Sequence, residues 1–200
     1  MIEWDLAKYQ RQQFSAQVTT TLIRMHAPAL NVCVQAGGHR GLWPLYLAAH
    51  FKQVYTFEPL PDNFTVLELL VPANVVATKA ALGDERRLVS LHEGKKPTHT
   101  GMYYVVREDG DCQMVRVDDL HLSALDALVL DIEGAEFPAL RGAEDSIRQF
   151  KPLIVVEKNP EFSARFGYQF EDLDAWVLTH GYLPSAPLWG KDVYYAPKPS

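Results

Sequence analysis

Three carboxylates fall within six residues in the segment DIEGAE (131–136), directly after an apolar run. A fourth carboxylate, Glu157, follows the next long apolar run along the chain. Crowded carboxylates repel one another unless solvent, a cation or a cationic ligand offsets their charge. The pattern therefore indicates a site that binds a positively charged group or removes a proton from a substrate.

A glycine-rich segment, NVCVQAGGHRG (31–41), follows an earlier apolar run. Its glycines let the backbone turn tightly and approach a ligand, because glycine has no Cβ. The dinucleotide fingerprint laid on residues 36–41 gives AGGHRG, with the first glycine replaced. Glu58 lies about twenty residues on, where an acid binds the ribose of a nicotinamide cofactor or of S-adenosylmethionine. The glycine segment alone does not decide between these two cofactors.

Short apolar runs and helical stripes must position these residues. The runs cover residues 32–34, 54–57, 127–130 and 153–156, and each ends at a polar or flexible residue. Continuous apolar character favours strands that are covered on both faces, as in a parallel sheet. Helical spacing predicts helices over 42–49, 64–70, 137–150 and 173–180. The alternation predicts a doubly wound α/β fold, with ligands beyond the carboxyl ends of the strands.

The rest of the chain completes the predicted architecture. Phe14, Val18, Leu22 and Met25 recur at helical spacing and predict an N-terminal helix. Further strands are predicted over 75–81, 88–92 and 112–117, and a terminal antiparallel hairpin is predicted from 182–183 and 193–195. We therefore expect one domain over 1–200, with a helical segment (1–28) and a Rossmann-like core (29–200). The core is a mostly parallel seven-stranded sheet.

Composition narrows the classes of function. With 19 basic and 25 acidic residues the net charge is −6, so the chain lacks a basic footprint and we expect no nucleic-acid partner. It has no run of about 18 apolar residues, so we expect no membrane span. Residues 1–26 lack the apolar region of a secretory signal. Cys33 and Cys112 lack metal-ligand spacing, so we expect neither a disulfide framework nor a metal site, and a cytoplasmic location.

Six stretches share their order and spacing with one enzyme family. They are QAGGHRG (35–41), VYTFEPLPDNF (54–64), KAALGD (79–84), VRVDDL (115–120), LDIEGAEFPALRGA (130–143) and IVVEKN (154–159). Together they resemble the FkbM-type family of S-adenosylmethionine-dependent methyltransferases. The resemblance implies the class I methyltransferase fold, S-adenosylmethionine as cofactor and, usually, methyl transfer to an oxygen. The implied acceptor is a hydroxyl on a small molecule or a glycan.

The resemblance also implies roles for individual residues. The cofactor-binding set is Gln35, Ala36, Gly37, Gly38, His39 and Gly41 beside the amino-acid part, Glu58 on the ribose, Pro59 and Asn63 beside the adenosine, and Ala80 and Ala81 against the adenine. Asp131 faces the transferring methyl group, as a general base or as a residue that orients cofactor or substrate. Glu157 is the second catalytic carboxylate, and His99 is a candidate on a polar loop. Glu133 and Glu136 are either site residues or simple helix N-terminal acids.

Three residues depart from the family pattern. Gln35 stands where the family has an aspartate that orients the amino-acid part of the cofactor, and His39 stands where it has an asparagine. Val129 stands where the family often has a lysine. The glycine segment leaves an NAD(P)-dependent Rossmann oxidoreductase as one alternative. The departures at Gln35 and Val129 support another, a catalytically degenerate module that binds a nucleotide or a partner. A base-modifying DNA methyltransferase is disfavoured, because DIEG (131–134) replaces its Pro-Pro motif.

Overall fold

The computed structural model describes residues 6–93, 103–106 and 110–199, with side chains from residue 13 onward except 92–109. The strands are β1 (Val32–Ala36), β2 (Gln53–Phe57), β3 (Val75–Thr78), β4 (Ala81–Leu82), β5 (Arg87–Glu93), β6 (Tyr103–Val106), β7 (Cys112–Val115), β8 (Ala127–Leu130), β9 (Leu153–Glu157), β10 (Ala186–Trp189) and β11 (Asp192–Tyr195). The helices are α1 (Leu6–His26), α2 (Leu42–Ala48), α3 (Pro61–Leu70), α4 (Glu136–Arg141), α5 (Glu144–Phe150), α6 (Pro160–Ser163) and α7 (Phe170–Thr179).

A seven-stranded sheet runs in the order β10-β11-β9-β8-β1-β2-β3. The five strands from β9 to β3 are parallel, whereas β11 and β10 are antiparallel additions at one edge. This arrangement confirms the predicted mostly parallel sheet with its terminal hairpin. The first strand of the hairpin begins at Ala186, later than expected, and Tyr182 forms only an isolated bridge with Pro197.

Both faces of the central strands are buried, as their continuous apolar character predicts. Leu128 and Leu130 of β8 pack in one core cluster, and the alternate residues Ala127 and Val129 pack in the other. Side chains of a strand point to opposite faces in turn, so each face of β8 has its own core. The burial leaves the ends of these strands as the place where polar side chains can collect.

A second sheet, in the order β4-β7-β5-β6, was not expected from the sequence. The predicted strand over 75–81 is two strands, because β3 pairs with β2 in the large sheet and β4 pairs with β7 in the small one. The change of sheet follows a turn in which the Ala80 amide donates to the Thr78 carbonyl. Strand β6 was also missed, and the polar loop over 94–101 lies outside the described residues.

The predicted helix over 137–150 is two short helices, separated at Gly142 and Ala143. A Cβ at Gly142 would lie 1.9 Å from the Gly83 carbonyl oxygen, so the two backbones meet there without room for a side chain. The Gly142 carbonyl accepts a hydrogen bond from the Asp118 amide instead of continuing a helical ladder. Close backbone contact thus breaks a helix that the apolar spacing predicts as continuous.

The N-terminal helix is present, but a different side of it packs against the protein. Phe14 and Met25 of the apolar stripe are 58% and 67% exposed. The buried residues are Ala16, Thr19, Thr20 and Ile23. Small side chains let the helix backbone approach its neighbours closely, which apolar spacing alone does not reveal. Among the described residues, no helix is long and apolar enough to cross a bilayer.

Candidate active site

Five chain segments bring polar residues to one edge of the large sheet. Strands β2, β1, β8 and β9 end there in parallel, and the antiparallel β11 begins there. The residues collected along this edge, in sheet order, are Glu58, the glycine loop (37–41), Asp131, Glu157 and Asp192. This is the carboxyl edge at which ligands bind in open α/β sheets.

The glycine loop passes close to both neighbouring strands. The amides of Gly37 and Gly38 donate to the Phe57 carbonyl at 3.1 and 3.0 Å. Gly37 has φ +88° and lies against Asp131, whose carbonyl oxygen would be 2.0 Å from an added Cβ. Gly41 also has a positive φ, +93°, and immediately precedes α2. The backbone therefore requires glycine at position 37 for two independent reasons, conformation and space.

Glu58 follows β2 and is held by three protein donors. Its Oε2 accepts the His39 amide at 2.7 Å, and its Oε1 accepts the Leu60 amide at 3.0 Å and Asn63 Nδ2 at 3.5 Å. The residue is only 5% exposed, and burial raises its pKa while these hydrogen bonds lower it. The carboxylate ties the glycine loop to the start of α3. Oε2 accepts one hydrogen bond from the described residues, and a carboxylate oxygen can accept two.

Gln35 lies inside the sheet, and its side chain is satisfied there. It is fully buried, its Nε2 donates to the Ala36 carbonyl at 2.9 Å, and its Oε1 accepts the Thr56 hydroxyl at 2.5 Å. Ala36 is 1% exposed and belongs to the core. These contacts join β1 to β2, and a cofactor contact for either residue stays a prediction.

The predicted adenosine wall is tightly packed. Asn63 is buried and links Glu58 to Arg40, whose Nε lies 3.3 Å from Asn63 Oδ1. Pro59 is half-buried between Glu58 and α3. Ala80 and Ala81 are 0% and 4% exposed and belong to core clusters. The structure gives these alanines a packing role, and their contact with adenine stays a prediction.

The acidic half of the edge lies on the other side of the glycine loop. Asp131 continues the β8–β1 pairing through its amide, which donates to the Ala36 carbonyl at 3.2 Å. Leu130 is in register with Val156, so Asp131 and Glu157 leave the sheet side by side. Burial, and then the neighbouring Glu157, raises the pKa of Asp131 to about 7. Burial also raises the pKa of Glu157, while Lys191, 3.9 Å from it, lowers that pKa.

Asp192 is a member of this group that the sequence analysis missed. It opens β11 directly opposite Glu157. Burial raises its pKa to about 7, and Asp131 and Glu157 add to the shift. When two strands pair antiparallel, the start of one lies beside the carboxyl end of the other. The position of Asp192 directly before the predicted hairpin strand was therefore a usable signal that it lies at the carboxyl edge.

Glu133 and Glu136 belong to the loop between β8 and α4, and they differ in their partners. Glu133 has φ +57°, and its buried Oε2 has no hydrogen-bond partner among the described residues. Burial and the nearby carboxylates, Asp131 first, raise its pKa to about 8. Glu136 is 3% exposed and accepts the amides of Ile132 and Gly134 at 3.0 and 3.3 Å. Glu136 therefore holds the loop rather than facing a ligand.

Two histidines and the question of a metal site remain from the predictions. His99 lies outside the described residues. His39 contributes its amide to Glu58, and its own φ of +45° marks the turn of the loop. Within the described part of the chain, no group of three or more ligand-type side chains has the arrangement of a metal site.

An open cavity of about 520 Å³ lies elsewhere, lined by Asp84, Glu85, Arg86, Arg116, Asp119 and His121. None of its lining residues belongs to the carboxyl edge, and its ion pairs already satisfy most of its charges. We therefore assign the candidate site from the sheet edge rather than from cavity size.

The family model of the methyltransferase FkbM domain matches residues 35–184. The chain belongs to the FkbM methyltransferase family. This confirms the resemblance given by the motifs, and S-adenosylmethionine is the cofactor of the family. The glycine loop has no side chains to block the close approach of such a cofactor, and the Glu58 carboxyl group offers acceptors of the kind that ribose hydroxyls need, so the residues present fit it.

Solved structures share the fold at low sequence identity. The FkbM methyltransferase of Methylobacillus flagellatus superposes with a TM-score of 0.57 at 17% identity, over 83% of this chain and 43% of that chain. This chain thus spans less than half of that relative. The magnesium protoporphyrin IX methyltransferase of Synechocystis, solved with bound S-adenosylmethionine, gives 0.54 at 11% identity over 98% and 86% of the two chains.

A TehB-like methyltransferase of Corynebacterium glutamicum gives a TM-score of 0.51 at 15% identity, over 96% of both chains. These likenesses confirm the class I methyltransferase fold. A comparison with curated proteins gives no significant match.

Proposed function

We propose that this chain is an S-adenosylmethionine-dependent O-methyltransferase that acts on a hydroxyl of a small molecule or a sugar. The observation that carries the proposal is the position of Asp131. It lies against Gly37 of the cofactor loop on one side and beside Glu157 on the other. A carboxylate at the border between the glycine loop and the acidic half of the edge can serve the atom that receives the methyl group.

The two halves of the edge have separate roles in this proposal. The glycine loop and Glu58 bind the cofactor, whose sulfonium supplies an electrophilic methyl group when it is bound. Glu157 orients the acceptor hydroxyl, and Asp131 takes up the proton that this hydroxyl releases. A carboxyl with a pKa of about 7 is a stronger base than an ordinary aspartate and is still half ionised at neutral pH. Positioning of the acceptor oxygen supplies much of the remaining catalysis.

A second candidate is a degenerate module that binds a nucleotide or a partner without methyl transfer. The contacts of Gln35 and Glu58 favour it, because the protein itself already satisfies most of their hydrogen-bonding capacity. Cofactor binding without turnover would distinguish this candidate. Family membership disfavours the NAD(P)-dependent alternative.

We place the protein in a reducing, cytoplasmic compartment as part of the same proposal. Both cysteines, Cys33 and Cys112, are buried free thiols.

The test is transfer of an isotopically labelled methyl group from S-adenosylmethionine to a panel of sugars, phenols and aliphatic alcohols. A parallel panel carries amines in place of the hydroxyls. We expect a labelled methyl ether, with rates that increase as the pH passes through about 7. Products confined to the amine panel would contradict the O-methyl assignment. Calorimetric binding of NAD⁺ without binding of S-adenosylmethionine would overturn the whole proposal.

A further inference from the structure

The loop between β8 and α4 carries Asp131 and Glu133 in an uncommon backbone conformation. Glu133 has φ +57° and Gly134 has φ +106°. A non-glycine residue in the left-handed region is strained and persists only when its surroundings hold it. A Cβ at Gly134 would lie 2.4 Å from the Phe162 carbonyl oxygen, so α6 presses on the same turn. The conformation therefore depends on contacts from outside the loop.

Glu136 supplies the first of these contacts. Its Oε1 accepts the amides of Ile132 and Gly134, which satisfies two donors of the turn. Glu136 is itself buried in an acidic neighbourhood, and burial raises its pKa to about 7. A protonated Glu136 would be a weaker acceptor for two amides, so this contact needs further support.

Tyr168 supplies that support from a separate part of the chain. Its hydroxyl lies 3.0 Å from the Gly134 carbonyl and 3.4 Å from Glu136 Oε2. The single phenolic proton is thus shared between the loop and the carboxylate that holds it. Tyr168 is 8% exposed, and its ring meets Phe137 edge-on at a centroid distance of 5.2 Å.

The chain fixes Tyr168 firmly in this place. Gly167, with φ +73°, turns the chain immediately before it. Gln169, immediately after it, begins α7 with a reciprocal capping box that involves Asp172. The hydroxyl therefore approaches the loop from a short segment that is held between the turn at Gly167 and the start of α7.

We propose that Tyr168 is a positioning residue, whose hydroxyl, together with Glu136, fixes the strained turn that presents Asp131 and Glu133 to the acceptor. The inference rests on the proposed methyltransferase function and adds a residue outside the sequence motifs that define the site. Tyr168 acts through the loop and contacts neither cofactor nor acceptor in this assignment.

The test compares Tyr168→Phe with Tyr182→Phe. Tyr182 is a matched control, because it is fully buried and its hydroxyl also donates to a backbone carbonyl, that of Pro152, at 2.9 Å. Each variant removes a buried hydrogen bond from a phenol to a backbone carbonyl and keeps the aromatic ring. Tyr168→Phe also removes the contact with Glu136 Oε2. We measure amide exchange at Ile132 and Gly134, the titration of Asp131 by carboxyl NMR, cofactor affinity and turnover. The charged groups that face Asp131 are Glu133, Glu136, Glu157, Asp192 and Lys191.

We expect Tyr168→Phe to speed exchange of the two loop amides about fivefold, the factor of one hydrogen bond. Water should then have greater access to the half-buried Asp131, whose pKa should fall from about 7 toward its ordinary value. Turnover should decrease about tenfold with cofactor affinity unchanged, because the turn is displaced while the glycine loop is not. The two variants should lower the melting temperature by similar amounts. Tyr182→Phe should change neither the loop exchange, nor the titration of Asp131, nor the turnover.

Equal loop exchange and equal Asp131 titration in Tyr168→Phe and wild type would overturn the positioning role. So would a loss of turnover that is the same in both variants, since it would follow stability alone. If wild type fails to bind S-adenosylmethionine, the proposed function is overturned, whereas the exchange and titration data still decide whether Tyr168 fixes the turn.

Discussion

The two halves of the carboxyl edge both hold a carboxyl group whose pKa is raised by burial, yet they differ in the hydrogen-bond donors that they offer to it. Glu58 is 5% exposed and accepts two amides and a side-chain amide. Asp131 receives no hydrogen bond to its carboxylate from the described residues, and its pKa is raised to about 7 by burial and by Glu157. Hydrogen-bond donors therefore offset part of the effect of burial on the pKa of Glu58, and no such hydrogen bond does so for Asp131. The half with Glu58 therefore suits binding of the cofactor, and the half with Asp131 suits proton transfer.

Asp131→Asn should have the largest effect on the reaction. The amide keeps the size of the side chain and cannot accept the proton, so turnover should decrease about a thousandfold, within the range of general-base catalysis. Wild-type turnover should increase with pH through about 7, because the base is active only when it is ionised. The variant's residual rate should lose that dependence. A residual rate that still follows the same pH curve would assign the titration to another group.

Gly37→Ala tests whether the glycine loop must lie directly against Asp131, where the two halves of the edge meet. The added Cβ would lie 2.0 Å from the Asp131 carbonyl oxygen at a backbone φ of +88°. We expect a loss of about 3 kcal/mol in the free energy of unfolding, from strain and overpacking together. Gly41→Ala is the control, because its φ is also positive at +93° but its nearest neighbours are 3.6 Å away.

Strain alone should cost Gly41→Ala about 1 kcal/mol. Chemical denaturation measures both variants. Equal losses in the free energy of unfolding would show that the close approach of Asp131 to position 37 adds nothing to the cost of the alanine.

Asp192→Asn tests the repulsion within the acidic half, with the smallest expected effect. Asp192 has a pKa raised from 3.8 to about 7, so the folded state favours its protonated form. Its contribution to stability is complete below the unfolded-state pKa and is lost as the pH rises to about 7.

The asparagine variant should therefore be more stable than wild type by about 1 kcal/mol at about pH 8, or about 3 °C in melting temperature. The difference should shrink as the pH falls toward about 4. A difference that is independent of pH would mean that neither burial nor the other carboxylates raise the pKa of Asp192 in the folded protein.

The parallel strands and the two halves of the site were predictable because they rest on local patterns. Apolar runs identified β1, β2, β8 and β9, and the residues at their ends lie at the edge as expected. The contacts made by backbone atoms were not predictable in this way. The break at Gly142 depends on its close approach to Gly83, which is distant in the sequence.

Tyr168 and Asp192 were missed for a related reason. Tyr168 lies between two predicted elements, in a segment whose short helix α6 has no clear apolar period. Its role depends on a hydrogen bond to Gly134, 34 residues away. Asp192 is an isolated acid at the start of a strand, and only its pairing with Glu157 gives it meaning.

The most direct measurement is calorimetric titration of S-adenosylmethionine into wild type, Glu58→Gln and Asp131→Asn. Loss of one acceptor oxygen of the carboxyl group in Glu58→Gln should weaken binding about a hundredfold, whereas Asp131→Asn should weaken it no more than about threefold. Glu68→Gln, at an exposed position of α3, is the matched control and should bind as wild type does. Equal losses in Glu58→Gln and Asp131→Asn, or full affinity in Glu58→Gln, would contradict the division of the edge into a cofactor half and an acceptor half.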